Sequence, residues 1–199
     1  MKRHGHIAAW MAAGMAGLCL CAGTAVGATE GSWPVAVAVV PSIEAPSADQ
    51  DVVGLRLNLL AGRHRNVSFL DIGVLADIVT EEAYGVQVAG LWNSTGSARG
   101  ALQAAGCVNL CYGDCYGAQL AGCHSRSEGT FMGLQAAAVC SAHVLKGLQI
   151  GLINRAGSSS GVQIGLVNHA EQSEGIQLGL VNIMPDGRYP VMPIFNIGF

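Results

Sequence analysis

Along most of this chain apolar and polar positions alternate with a period of two, and the alternating runs themselves return at a fixed interval. In Gly147-Leu-Gln-Ile-Gly-Leu-Ile-Asn154, Leu148, Ile150 and Leu152 alternate with Gln149, Gly151 and Ile153. That pattern predicts a strand rather than a helix. The phrase returns as Gly161-Val-Gln-Ile-Gly-Leu-Val-Asn168 and as Gly175-Ile-Gln-Leu-Gly-Leu-Val-Asn182. Its glutamine marks the interval: Gln87, Gln103, Gln119 and Gln135 stand 16 residues apart, and Gln149, Gln163 and Gln177 follow at 14. Asp71 lies 16 residues before Gln87 and Arg56 another 15 before that, so two degenerate copies carry a charge in the glutamine slot. A fixed period over most of a chain means one supersecondary unit stacked on copies of itself.

The earlier copies carry one more residue between Gln and the Asn or Ser position, as in Gln87-Val-Ala-Gly-Leu-Trp-Asn93 against Gln149-Ile-Gly-Leu-Ile-Asn154. One inserted residue in a strand predicts a β-bulge or a longer unit. Residues 133–147 are rich in alanine and would pass for a helix alone, but their registration with the other copies overrides that propensity.

Two closures suit such a unit. A parallel β-solenoid would use one 14–16-residue repeat per coil and stack Gln149, Gln163 and Gln177 into an amide ladder. Its difficulty is the other half of the coil, where residues 155–160 and 169–174 offer little but Ala156 and Ala170 to cover the Leu/Ile stripe. An antiparallel meander closing into a β-barrel of about 10–12 strands avoids that difficulty. Leu148, Ile150 and Leu152 would then face lipid or a hydrophobic partner, with Gln149 and Gly151 inside. The ending Pro193-Ile-Phe-Asn-Ile-Gly-Phe199 places Phe195, Ile197 and Phe199 on one strand face and looks like the terminal strand of bacterial outer-membrane barrels. The expected architecture is all-β, with the barrel as its closure and the solenoid as the alternative. Along the chain this divides into a signal peptide (1–28), an N-terminal strand and Pro-rich connection (29–51), a β-repeat region (52–187) and a closing strand (188–199).

Composition narrows the function. Of 199 residues only 12% are charged, 51% are hydrophobic and 28 are glycine, which excludes disorder and disfavours a helix bundle. The formal charge is −3, with no basic run, so nucleic acid has no electrostatic footprint here. Lys2 and Arg3 precede an apolar stretch from Ile7 to Cys21, and Val26-Gly27-Ala28 offers small residues for cleavage before Thr29. The stretch is shorter than the ~20 residues a spanning helix needs, so it reads as an export signal. Asn66-Val-Ser68 and Asn93-Ser-Thr95 match the glycosylation triplet, which matters only in a eukaryotic secretory route.

Candidate chemistry is sparse. Five of the seven cysteines, Cys107, Cys111, Cys115, Cys123 and Cys140, follow the leader. Cys107 and Cys123 are 16 apart, in equivalent positions of neighbouring units, and form the candidate disulfide pair. Cys111-Tyr-Gly-Asp-Cys115 with His124 lacks the ligand spacing of a zinc site, so no metal is expected. His64, Asp71, Glu81, Glu82, His124, His143 and His169 form no recognised acid/base or nucleophile motif. No enzymatic activity and no cofactor are expected.

The repeated phrase, preceded by Val53-Gly-Leu-Arg-Leu-Asn58 and followed by Pro193-Ile-Phe-Asn-Ile-Gly-Phe199, resembles a bacterial family of surface-repeat-containing proteins over about residues 52–199. The resemblance implies an exported, envelope-associated protein with no assigned enzymatic activity. The middle copies depart from the family's pattern, carrying Cys and Ala where Leu and Val are usual. The expected function is that of a non-enzymatic surface protein of a Gram-negative-type bacterium, in contact with outer-membrane or envelope lipid. The alternative is a secreted soluble β-repeat module that engages glycan, lipid or protein.

Overall fold

The computed structural model describes residues 32–40, 43–47 and 49–198. The expected signal peptide and the terminal Phe199 lie outside the described residues. Sixteen strands and no helix make up the described chain. They form one continuous sheet wound into a parallel β-solenoid of about ten turns.

Each repeat makes one coil, with a glutamine strand, a turn, an asparagine strand and a return turn. Neighbouring coils pair in parallel and in register. Gln135 lies over Gln149, Gln163 and Gln177 in turn, and Asn154 over Asn168 and Asn182. Antiparallel pairing is confined to the two ends, where Ile43–Ala45 runs back along Ser32–Val40 and Val191–Ile197 runs back along Ile176–Ile183. The expected barrel is therefore wrong, and the solenoid alternative is the fold. The strand carrying Phe195 seals the last coil instead of closing a cylinder.

The barrel was favoured because the polar half of each coil could not cover a Leu/Ile stripe. No such covering is needed. Gln149 and Asn154 point inward and are fully buried, as are Ala156 and Ser159 across the coil, whereas Ile150, Leu152 and Ile153 face out. The inward glutamine and outward leucine were foreseen; what differs is that an amide interior needs only small residues opposite it. The apolar part of the interior is correspondingly slight. Its main cluster is alanine and cysteine around Phe131 and Leu145, with a second group of Ala36, Val52, Val67, Val79 and Ala83 near the N-terminal end.

The change of period is split between two turns. From Gln119 to Ser125 and from Ser125 to Phe131 are six residues each; from Gln135 to Cys140 and from Cys140 to Leu145 are five. One residue leaves each turn, so the strands stay in register while the coil shortens. The second loss is the bulge between Ser127 and Thr130.

One row of the coil is built for glycine. Gly85, Gly117 and Gly133 take left-handed φ values of 92°, 137° and 139°. A side chain at Gly133 would collide with the Gly117 carbonyl of the coil below. Phe69 occupies this row between Gly54 and Gly85, at φ 108° with 76% of its surface exposed. A non-glycine residue held there costs on the order of 1–3 kcal/mol, and its exposed ring recovers little of that. Phe69→Gly is expected to raise the urea midpoint of unfolding by about 1 kcal/mol of stability, and Gly133→Ala to lower it, both read by far-UV circular dichroism.

Candidate functional site

Two features organise this solenoid: a polar axis inside and an apolar wall outside. The axis begins with the glutamines. Gln103, Gln119, Gln135, Gln149, Gln163 and Gln177 each donate Nε2 to the Oε1 of the glutamine one coil earlier, at 2.7–3.0 Å. A second ladder runs the other way. Asn93 donates Nδ2 to Asn109, Asn154 to Asn168, and Asn168 to Asn182, at 2.8–3.0 Å. The same nitrogens also donate to carbonyls of the next coil, Asn154 to Ile164 and Asn168 to Leu178, at 2.8 and 2.9 Å. Those carbonyls sit where the chain turns out of the glutamine strand, so asparagine satisfies the turn as well as the ladder. Ser125 and Cys140 interrupt it. The Cys140 thiol donates to the Ile150 carbonyl at 3.5 Å, in place of an amide, and burial pushes that thiol up to about 11.

A directional ladder needs an end. Gln87 donates to the Asp71 carboxylate at 3.2 Å, and a carboxylate only accepts. Asp71 also accepts from Arg56 and from Asn58, and Arg56 is a donor-only group in the next slot down. Arg56 donates further to the Ile78 carbonyl at 3.1 Å and lies 3.7 Å from Asp77, with His64 Nδ1 3.5 Å away. Arg56, Asp71, Asp77 and His64 are all fully buried. The two residues marked in the sequence as odd copies are thus the terminator of the amide chain. Asp77 was not marked, although it stands 16 residues before Asn93 and occupies the asparagine slot.

The cluster titrates in two opposing senses. Burial, reinforced by the neighbouring Asp71 carboxylate, pushes Asp77 up to about 7. Burial, reinforced by the Arg56 guanidinium, pushes His64 down to about 4.

The remaining residues singled out by sequence scatter. Glu81 and Glu82 line a groove at the return turn. His124 faces outward beside the first turn, where burial and Arg126 lower its pKa, while His143 and His169 lie in other rows. Cys107 and Cys123 stack in adjacent coils, the Cys123 amide donating to the Cys107 carbonyl at 2.9 Å. Both are free thiols, and the contact with Cys123 raises Cys107. Cys111 and Cys115 are buried, and the neighbouring Cys111 with burial holds the Cys115 thiol protonated.

The wall comprises four outward rows over nine coils. One runs from Leu55 to Ile176 and one from Leu57 to Leu178, flanking the glutamines. One follows the turn from Leu60 to Leu180, and one runs from Ala61 to Val181. These rows contain no Asp, Glu, Lys or Arg. The C-terminal strand extends the wall, with Phe195 opposite Leu178. At about 4.8 Å per coil it is about 40 Å long, an apolar area on the order of 800 Å². That exceeds the largest patch of an ordinary monomer, about 300–600 Å². Across its middle, Ala104, Ala105, Ala136 and Ala137 replace larger residues and leave a shallow trough rimmed by Val88 and Leu120. Charge gathers instead at the return turn, in pairs such as Arg65–Asp51 and Arg99–Glu82.

Comparison with family models, with curated proteins and with solved structures returns no match. The axis and the wall therefore carry the functional argument by themselves.

Breaking the axis should be costly. Gln119→Leu removes two ladder bonds and orphans the Gln135 nitrogen and the Gln103 oxygen, so an unfolding loss of about 2–4 kcal/mol is expected by chemical denaturation. The terminator gives a pH signature. A raised carboxyl binds its proton more tightly when folded, so Asp77 withdraws stability as pH rises from about 4 to 7. A depressed imidazole binds its proton less tightly when folded, so His64 adds stability as pH rises from about 4 to 6.5. The two nearly cancel in the native chain. His64→Gln should expose a falling slope of up to about 1.4 kcal/mol per pH unit, and Asp77→Asn a rising one. Urea titrations at pH 4.5, 5.5 and 6.5 measure both.

Proposed function

We propose that this chain is a non-enzymatic, exported surface protein of a Gram-negative-type bacterium that lies on envelope lipid through its apolar wall. The single observation that carries this reading is the wall: four outward rows of small and large apolar side chains, nine coils deep, without one acidic or basic residue. Burying half of it would supply ~10 kcal/mol at about 25 cal/mol per Å². A formal charge of −3 offers no electrostatic attraction to anionic headgroups, so the apolar term has to drive attachment. The resemblance to surface-repeat proteins points to the same location. In an oxidising envelope compartment the stacked Cys107 and Cys123 thiols form the disulfide of this surface, while Cys111, Cys115 and Cys140 stay reduced inside.

Attachment should be indifferent to salt and to headgroup charge. The protein without residues 1–28 is expected to float with both phosphatidylcholine and phosphatidylglycerol vesicles, at 50 mM and 500 mM salt alike. Leu152→Glu with Leu166→Glu, at exposed wall positions, should leave the circular dichroism spectrum unchanged and abolish flotation. Loss of binding at high salt would overturn the apolar mechanism. A wild-type protein that stays in the aqueous phase and sediments as a dimer, broken by the same pair, would assign the wall to a second copy instead.

A further inference from the structure

The return turn of the coil carries a second surface of opposite character. Three consecutive turns there differ in length. From Val79 to Ala83 the chain takes four steps, from Thr95 to Ala98 three, and from Cys111 to Cys115 four. The middle turn is therefore recessed between two that stand proud. The result is an open groove of about 750 Å³ whose floor is Gly96, Ser97 and Gly113. That volume lies within the range of small-ligand sites, about 300–1,000 Å³.

Its sides pair aromatic faces with fixed polar groups. Tyr84 stands on one bank and Tyr112, 56% exposed, on the other. The Tyr84 hydroxyl donates to Glu82 at 2.5 Å, and Arg99 reaches Glu82 at 3.2 Å, so this carboxylate is held in place. Glu81 is approached by Arg65 at 3.9 Å and by the Asn66 amide at 3.5 Å. Each acid of the groove thus has an arginine beside it, and the lining carries no unbalanced charge. Thr80, Ser97 and Asn66 add hydroxyl and amide groups along its length.

We propose that this groove binds a neutral saccharide. Ring faces that stack on the apolar side of a pyranose, together with carboxylate, amide and hydroxyl groups for its hydroxyls, match that ligand class. An anionic glycan or nucleotide would need a cation not already committed to a carboxylate. A purely apolar ligand would leave the polar lining unpaired. The groove lies at the return turn and the wall at the other turn of the coil, so saccharide binding does not depend on lipid attachment.

Isothermal titration calorimetry on the soluble chain without residues 1–28 tests this. The probes are neutral gluco-, manno- and galacto-oligosaccharides of three to six units, set against uronic-acid oligomers of equal length. At least one neutral series should bind with a Kd below 5 mM, and the uronic-acid oligomers should bind at least tenfold more weakly. Tyr112→Ala should weaken the neutral ligand tenfold or more and Tyr84→Phe less than threefold, with unchanged circular dichroism. The wall variant Leu152→Glu should bind the saccharide normally, which separates this groove from the lipid surface. Absence of binding across the neutral panel overturns the proposal, as does affinity that survives Tyr112→Ala or favours the uronic acids.

Discussion

The stacking of one buried amide on its twin is the constraint from which the rest of this molecule follows. A carboxamide carries donors and an acceptor, so burying it without partners costs several kcal/mol, about 1–3 for each unsatisfied group. A row of identical amides one coil apart removes the problem, because each satisfies the next. Only parallel winding in register provides such rows. The two ladders donate in opposite directions along the axis, glutamine toward the N-terminal end and asparagine toward the C-terminal end, so their dipoles oppose. The glutamine ladder also needs an acceptor-only end, which Asp71 supplies with Arg56 to balance it.

A polar axis reverses the usual allocation of residues. Small side chains suffice opposite the ladders, which is why Ala142, Ala156 and Ala170 line the far side. Bulky aliphatic residues are then free to face outward, and there they form the wall. Function is distributed by turn: the first turn of each coil is apolar, whereas the return turn collects ion pairs, tyrosines and the recessed groove. The saccharide and lipid readings concern different residues of the same coil.

Much of this was legible beforehand, and particular residues show where legibility stopped. The period of the glutamines and the alternation about Gln149 identify strands, a repeat and the inward face. Arg56 and Asp71 stand out by their spacing. What misled was an assumption about Ala156 and Ala170, that they had to cover leucines; they cover amides. Asp77 escaped notice because its partner Asn93 sat in a slot read as a turn residue. The groove was invisible for a different reason. It arises from the difference in length between turns at Thr80, Gly96 and Tyr112, which matters only once the coils lie side by side.

By itself the sequence determined the strand, the repeat length, the face of each side chain and the charge-free composition of the outer rows. These are local or periodic properties, and each is present in a single copy or in the spacing between copies. The tertiary structure alone decided that copies run parallel, that the odd charged copies meet at one buried terminator, and that a short turn between two long ones opens a groove. Those depend on which residues become neighbours across coils. A linear chain does not state this until register, and with it the pairing of buried donors and acceptors, is complete.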